Sequence, residues 1–323
     1  MALGFDQNNS SRPGPWITIG SFDGIHLGHQ KLIGALTAGA VENKTDAVVV
    51  TFFPNPAAFF REITSPYYLT SLREKEHILQ NEGIKSVLTI KFDQKTSRLS
   101  PEQFLNALYA QFPFTCLLIG YDFRMGADRS GGLENLKVIG EKMGFRVRAI
   151  EPVMYRGQPV SSSRIRTALI NGDLLTANKM LGYPYSIEGE VIHGDGRGRH
   201  IGLPTANIEV WKQKLLPATG VYAVLAEVDG KRHPGVVSIG YRPTFYEDSE
   251  LQTIETHILD FADDVYGKQM KVHFVKYLRP EEKYNSVREL MDQIRIDIKN
   301  TREVLANEPS TKDLPAGSQK FKS

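Results

Sequence analysis

The chain has 323 residues, 41% of them hydrophobic and 24% charged, with a formal net charge of +2. At roughly 150 residues per domain this length accommodates two globular domains. The composition excludes disorder as the default state, and the charge is too small to draw the chain to nucleic acid by bulk electrostatics. A single cysteine, Cys116, excludes an internal disulfide and any multi-cysteine zinc site. No apolar run is long enough to span a bilayer, and the first fifteen residues lack the apolar centre of a signal peptide. A cytoplasmic protein with no membrane and no nucleic-acid partner is expected.

Residues 16–20, WITIG, predict a strand, and 29–43 a helix. DAVVVTFFP (46–54) predicts a buried strand stopped by proline, followed by a helix over 73–83 and a strand over 85–92. SPEQFLNALYAQF (100–112) has a Ser cap and a Pro in the first turn, the opening of a helix. FTCLLIGYDF (114–123) predicts a strand that buries Cys116 as a core thiol; a helix (131–144) and a strand (145–153) follow. Strands alternating with helices predict an α/β, Rossmann-like domain with a parallel sheet covered on both faces. Ligands in such sheets sit beyond the carboxyl ends of the strands, where GSFDG (20–24) and GYDFRMG (120–126) fall.

Residues 161–184 read as one helical segment closed by Gly-Tyr-Pro. From there the pattern changes to short alternating runs at 185–194, 220–240, 251–261 and 268–278, with turn signals such as Asp229-Gly230. Such spacing predicts a closed or sandwiched antiparallel sheet, best drawn as a β-barrel. An amphipathic segment over 286–306 predicts a terminal helix, and the polar stretch 307–323 is expected to fray. The domain boundaries expected are 14–183, 184–306 and the tail 307–323.

Two glycine-rich stretches carry the chemistry. In GSFDGIHLGH (20–29) the helical spacing starts near Leu27, which sets His26 and His29 one turn apart at a helix N-terminus. Unsatisfied N–H groups and the helix dipole favour anions there, and Gly20 and Gly24 let the backbone approach a ligand. Two imidazoles so placed can donate to a phosphate chain and to charge developing on it. Their spacing is wrong for a zinc pair, which comes at i, i+4 with a third ligand. SSSRIRTAL (161–169) adds Ser162, Ser163 and Arg166, hydroxyls and a guanidinium suited to phosphate. Taken alone, these stretches are equally a capped helix with surface histidines and a Ser-capped helix with solvent-facing arginines.

The second stretch, HGDGRGRHIGLPTAN (193–207), is neither a Walker loop nor a GxGxxG turn into a helix. Gly194, Gly196, Gly198 and Gly202 allow backbone N–H groups to wrap a phosphate chain. Thr205 and Asn207 share one face of an extended segment, and their oxygens are hard ligands suited to Mg²⁺ on nucleotide phosphates. A glycine-rich hairpin with an Asx turn fits the same residues.

The first string resembles the nucleotidyltransferase superfamily, and SSSRIR resembles its second phosphate signature, with Ser163 where Thr is usual. GRGRHIGLPTANI (196–208) closely resembles the riboflavin kinase signature, and TIETHILDF (253–261) its catalytic strand. Together, over residues 14–305, the chain resembles the bacterial bifunctional riboflavin kinase/FMN adenylyltransferase (FAD synthetase) family. The resemblance implies phosphorylation of riboflavin to FMN, then adenylyl transfer to FMN giving FAD, with ATP consumed at both steps and Mg²⁺ as cofactor. It implies Glu255 as the kinase general base, His26, His29 and Arg166 as catalytic groups of the transferase, and Gly20, Phe22, Asp23, Gly24, Ser162 and Ser163 as ATP contacts. It places Asn55, Pro56, Asp122 and Arg124 against flavin. Asn55 departs from the family's usual histidine and, like Ser163, lies in the transferase half. Two alternatives stay open: a kinase carrying a degenerate N-terminal scaffold, and a non-catalytic flavin or nucleotide sensor. The oligomeric state is not legible.

Overall fold

A computed structural model describes residues 14–194, 203–242 and 251–307. They fall into two compact units. One holds the described residues up to Thr64 and those from Leu72 to Ser161; the other holds Ser65–Ser71 and the described residues from Ser162 onward.

The first unit is built on five strands: β1 (Trp16–Ile19), β2 (Ala47–Phe53), β3 (Ser86–Lys91), β4 (Cys116–Gly120) and β5 (Arg146–Ile150). All pair in parallel, in the order β3-β2-β1-β4-β5. The helices are α1 (Leu27–Glu42), α2 (Pro56–Phe60), α3 (Leu72–Asn81), α4 (Gln94–Ser97), α5 (Pro101–Gln111) and α6 (Leu133–Met143), and a hairpin of β6 (Met154–Tyr155) and β7 (Gln158–Pro159) closes the unit. Because successive strand residues face opposite sides, the sheet feeds two cores. Ile17, Ile19, Val48, Val50, Leu117 and Ile119 pack with Leu105 and Leu136 on one side. Trp16, Val49, Cys116 and Leu118 pack with Ile33, Leu36 and Leu79 on the other. Burial on both faces is why β2 reads as an unbroken valine run. Cys116 is a core thiol, as expected, and burial pushes its titration up. The Ser100 hydroxyl accepts from Gln103 N–H at 3.2 Å while Ser100 N–H donates to the Gln103 side chain at 2.9 Å, so the Ser-Pro opening of α5 is a full capping box. On α1, Gly39 stands where a Cβ would run into the Trp16 ring, which lets the helix lie close on β1.

The second unit corrects one sequence expectation. Residues 161–184 are two helices, α7 (Ser162–Ile170) and α8 (Leu174–Leu181). Gly172 takes φ 74°, and the Asp173 carboxylate caps α8 by accepting from Thr176 N–H at 3.0 Å. Asn171-Gly172-Asp173 is a stop followed by a start. Strands β8 (Ser186–Ile192), β9 (Ala206–Val210), β10 (Gly220–Val228), β11 (Lys231–Arg242), β12 (Leu251–Ile258) and β13 (Gln269–Arg279) close a barrel in the order β10-β11-β12-β9-β8-β13. Tyr222, Val224, Val237, Ile239 and Phe274 are fully buried in it. Helix α9 (Val287–Asn307) is fastened to the barrel by Asp297, 2% exposed, which accepts from Arg279 Nε at 3.0 Å and Nη2 at 2.8 Å. A two-point guanidinium contact fixes position as well as charge.

Candidate active sites

In the first unit the strand order reverses between β1 and β4. Loops leaving the carboxyl ends of those two strands form the edges of a crevice in sheets of this kind. Gly20 to Ile25 leave β1 there, and Tyr121 to Arg124 leave β4. The first loop is tightly wound: Phe22, Gly24 and Ile25 have φ of 47°, 79° and 32°. Phe22, Asp23 and Gly24 are buried.

Helix α1 starts at Leu27 with His26 as its cap, where the sequence put it. The His26 Nδ1 accepts from His29 N–H at 3.4 Å, and the two imidazoles stack with centroids 3.7 Å apart. Phe22 closes the other side of His29, 5.1 Å away and tilted. His29 Nδ1 is buried and has no hydrogen-bond partner among the described residues. Burial, with the charges of His26 and Lys75 next in importance, holds His29 well below the usual imidazole range. His29 is therefore a neutral ring at pH 7, able to offer an N–H but no fixed positive charge.

Lys75 is the residue of this site that the sequence did not reveal. The sequence predicts a helix over 73–83 without singling out Lys75, which is only 5% exposed. Its ammonium donates to the Ser21 carbonyl at 2.7 Å and to Thr51 Oγ1 at 3.2 Å, and Thr51 donates to the same carbonyl at 3.1 Å. A buried cation thus sits beneath the β1–α1 loop, its pKa lowered by burial and sustained by Asp23 and Glu76. Asn55 is buried, and its Oδ1 caps α2 by accepting from Ala57 N–H at 2.9 Å, with Pro56 as the first residue of that helix. Asp122 and Arg124 are exposed, and Arg124 Nη1 donates to the Phe123 carbonyl at 2.8 Å.

Ser162, Ser163 and Arg166 open α7 in the second unit. Arg166 is buried, donates from Nε to the Tyr67 carbonyl at 2.8 Å and lies 3.8 Å above the Tyr67 ring.

The barrel assembles the other site. Along β9 and the residue before it, Ala206 and Ile208 are buried while Thr205 and Asn207 are partly exposed, the alternation that the sequence predicts. Glu255 on β12 pairs directly with Asn207 on β9 and with Ser238 on β11. The Thr205 hydroxyl reaches Glu255 Oε2 at 3.5 Å. Gly194 follows β8 so closely that a Cβ there would overlap the Asn207 amide. A hydroxyl, an amide and a carboxylate drawn from positions fifty residues apart in sequence therefore meet on one barrel face. Gly196, Gly198 and Gly202 lie outside the described residues. Among the described residues no cluster of three His, Cys, Asp or Glu is placed to hold a metal. The hydroxyl and amide oxygens of Thr205 and Asn207 suit Mg²⁺, which takes few protein ligands and shares phosphate oxygens and water.

The FAD synthetase family model matches residues 8–164 and the riboflavin kinase model residues 181–305. The bifunctional riboflavin kinase/FMN adenylyltransferase of Bacillus subtilis is 40% identical over 284 residues, 87% of this chain and 89% of that protein. The proteins of the same description from Pseudomonas fluorescens and Escherichia coli K12 are each 38% identical, over 90% and 89% of this chain and 92% and 91% of theirs. A crystal structure described as a macrolide-efflux protein from Streptococcus pneumoniae has a TM-score of 0.81 and 31% identity, covering 90% of this chain and 94% of that one. Among the described residues no helix is long and apolar enough to cross a membrane. By its two matched domains the chain is of the FAD synthetase class in its first part and the riboflavin kinase class in its second. It belongs to the bifunctional riboflavin kinase/FMN adenylyltransferase family.

Proposed function

We propose that this chain makes FAD from riboflavin in two ATP-dependent steps, each at its own site. Residues 184–306 phosphorylate riboflavin to FMN; residues 14–183 join the adenylyl group of a second ATP to FMN and release pyrophosphate. The cytoplasm is the expected compartment. The observation that carries the reading is the meeting of Thr205, Asn207 and Glu255 across β9 and β12.

In the kinase reaction the ribityl 5′-hydroxyl oxygen attacks the γ-phosphorus as the bond to the ADP oxygen breaks. Glu255 accepts the hydroxyl proton. Thr205 and Asn207 would hold Mg²⁺, which when bound neutralises charge on the phosphates. Gly194, Gly196, Gly198 and Gly202 are read as contacts to the ATP phosphates. In the transferase reaction an FMN phosphate oxygen attacks the α-phosphorus of ATP, and pyrophosphate leaves. His26, His29 and the first turn of α1 donate to the phosphates, and Arg166, with Ser162 and Ser163, clamps them. Gly20, Phe22, Asp23 and Gly24 shape the ATP contact; Asn55, Pro56, Asp122 and Arg124 border the flavin.

Isotope placement tests this reading. Purified protein given riboflavin and γ-labelled ATP is expected to yield labelled FMN; given FMN and α-labelled ATP it is expected to yield labelled FAD. Absence of the α-label from any flavin product would remove the transferase half of the proposal. Absence of the γ-label from FMN would remove the kinase half.

A further inference from the structure

The segment Ser65–Ser71 lies in the second compact unit, although the chain on either side of it belongs to the first. It is stitched to the turn between β9 and β10. Tyr67 and Tyr68 N–H groups both donate to the Gln213 carbonyl at 2.9 Å, and Leu215 N–H donates to the Tyr68 carbonyl at 2.9 Å. Tyr68 and Trp211 rings lie 5.0 Å apart. The Lys214 ammonium, on a residue 3% exposed, donates to the Leu69 carbonyl at 2.7 Å and stands 5.0 Å from the Tyr185 ring centre. A lysine held this deeply gives up most of its hydration and is kept only where its contacts require it. The strap so fixed presents the Tyr67 carbonyl and ring to Arg166, one gripping Nε and the other supporting the guanidinium plane.

We infer that Lys214, within the part of the chain matched to riboflavin kinase, is a positioning residue for adenylyl transfer: it pins the strap that orients the Arg166 guanidinium. The inference rests on the reading of Arg166 as the phosphate clamp of the transferase. The Lys214 contacts to the Leu69 carbonyl and the Tyr185 ring are separate from the constellation of Thr205, Asn207 and Glu255. A clamp misplaced by about 1 Å costs on the order of 10²-fold in rate.

The full-length Lys214→Met protein is therefore expected to convert FMN to FAD about 10- to 100-fold more slowly, chiefly in kcat/KM for ATP, while riboflavin phosphorylation stays at the wild-type rate. Lys214→Arg, which keeps the charge, is expected to recover much of the loss. Tyr67→Ala, which removes the ring under Arg166 from the strap itself, is expected to give the same selective defect. In an Arg166→Ala background, Lys214→Met is expected to add nothing, because both act through one group. If Arg166→Ala alone leaves FAD formation intact, the clamp reading fails and the inference with it. If Arg166→Ala is defective while Lys214→Met and Tyr67→Ala are both normal, the clamp stands and the positioning inference is overturned. Equal loss of both activities in Lys214→Met and Tyr67→Ala, or additive loss on top of Arg166→Ala, makes the lysine a general fold element and overturns it too.

Discussion

Replacing Gly194 by alanine adds one methyl group at a confined point beside Asn207, in the site proposed for the kinase. Gly194 is not among the glycines at positive φ, so alanine brings no backbone strain there. The new Cβ would overlap the Asn207 Nδ2 and stand 2.7 Å from its Cγ. Carbon atoms rest about 3.5–4.0 Å apart, so the amide must move by roughly 1 Å. The end of a short side chain can rotate away, so the fold yields cheaply; what is lost is the place of the Asn207 oxygen beside Thr205 and Glu255. A displacement of about 1 Å from productive geometry costs on the order of 10²-fold. Riboflavin phosphorylation by Gly194→Ala is therefore expected to fall about 100-fold, with the apparent affinity for Mg²⁺ weakened, the melting temperature within a few degrees of wild type, and FAD formation from supplied FMN unchanged. Steady-state assays of the two half-reactions over a Mg²⁺ titration decide it. A kinase kcat/KM within threefold of wild type would refute the claim that the Asn207 amide must lie where it does.

Other outcomes follow from the same geometry. Glu255→Gln keeps shape and removes the proton acceptor, so riboflavin phosphorylation should drop by about 10²–10⁴-fold while adenylylation of FMN persists; near-normal kinase turnover would exclude Glu255 as the base. His29→Ala should lower FAD formation by about 10²–10³-fold and spare FMN formation, as judged by product chromatography. The depressed pKa of His29 also has a thermodynamic sign. Above pH 6.5, its ordinary value, the ring is neutral whether the chain is folded or unfolded; below it the unfolded chain takes up a proton that the folded ring refuses. Stability should thus fall as pH drops from about 6.5 until the folded ring itself titrates, and His29→Asn should show a shallower decline in denaturant midpoint between pH 7 and 5.

Local chemistry was legible wherever neighbouring residues determine it. The start of α1 at Leu27, the Ser-Pro opening of α5, and the shared face of Thr205 and Asn207 each depend on a few adjacent positions, and each is found as read. The break at Gly172 lies in Asn171-Gly172-Asp173, a helix stop and a cap inside a segment that reads as helical throughout. Lys75 was not singled out, because a lysine on a helix ordinarily faces water and only the fold brings Ser21 and Thr51 to it. The strap was illegible for a further reason. SPYYLTS is too short to carry a period, and its partner Lys214 lies 145 residues beyond Leu69. Likewise Glu255 has the two-residue spacing of any half-exposed strand, and its closeness to Thr205 and Asn207 exists only once the barrel closes. Resemblance to the family supplied that assignment where spacing did not.

The central claim is that two independent sites share one chain, with FMN as the product of one and the substrate of the other. Mixing the Glu255→Gln and His29→Ala proteins in one vessel, with riboflavin, Mg²⁺ and ATP, tests it most directly. Neither variant alone should make FAD from riboflavin at more than a small fraction of the wild-type rate, whereas the mixture should make it readily, the second protein supplying FMN that the first adenylylates. A mixture that makes no more FAD than the two variants separately, although each retains its own half-reaction, would contradict the account.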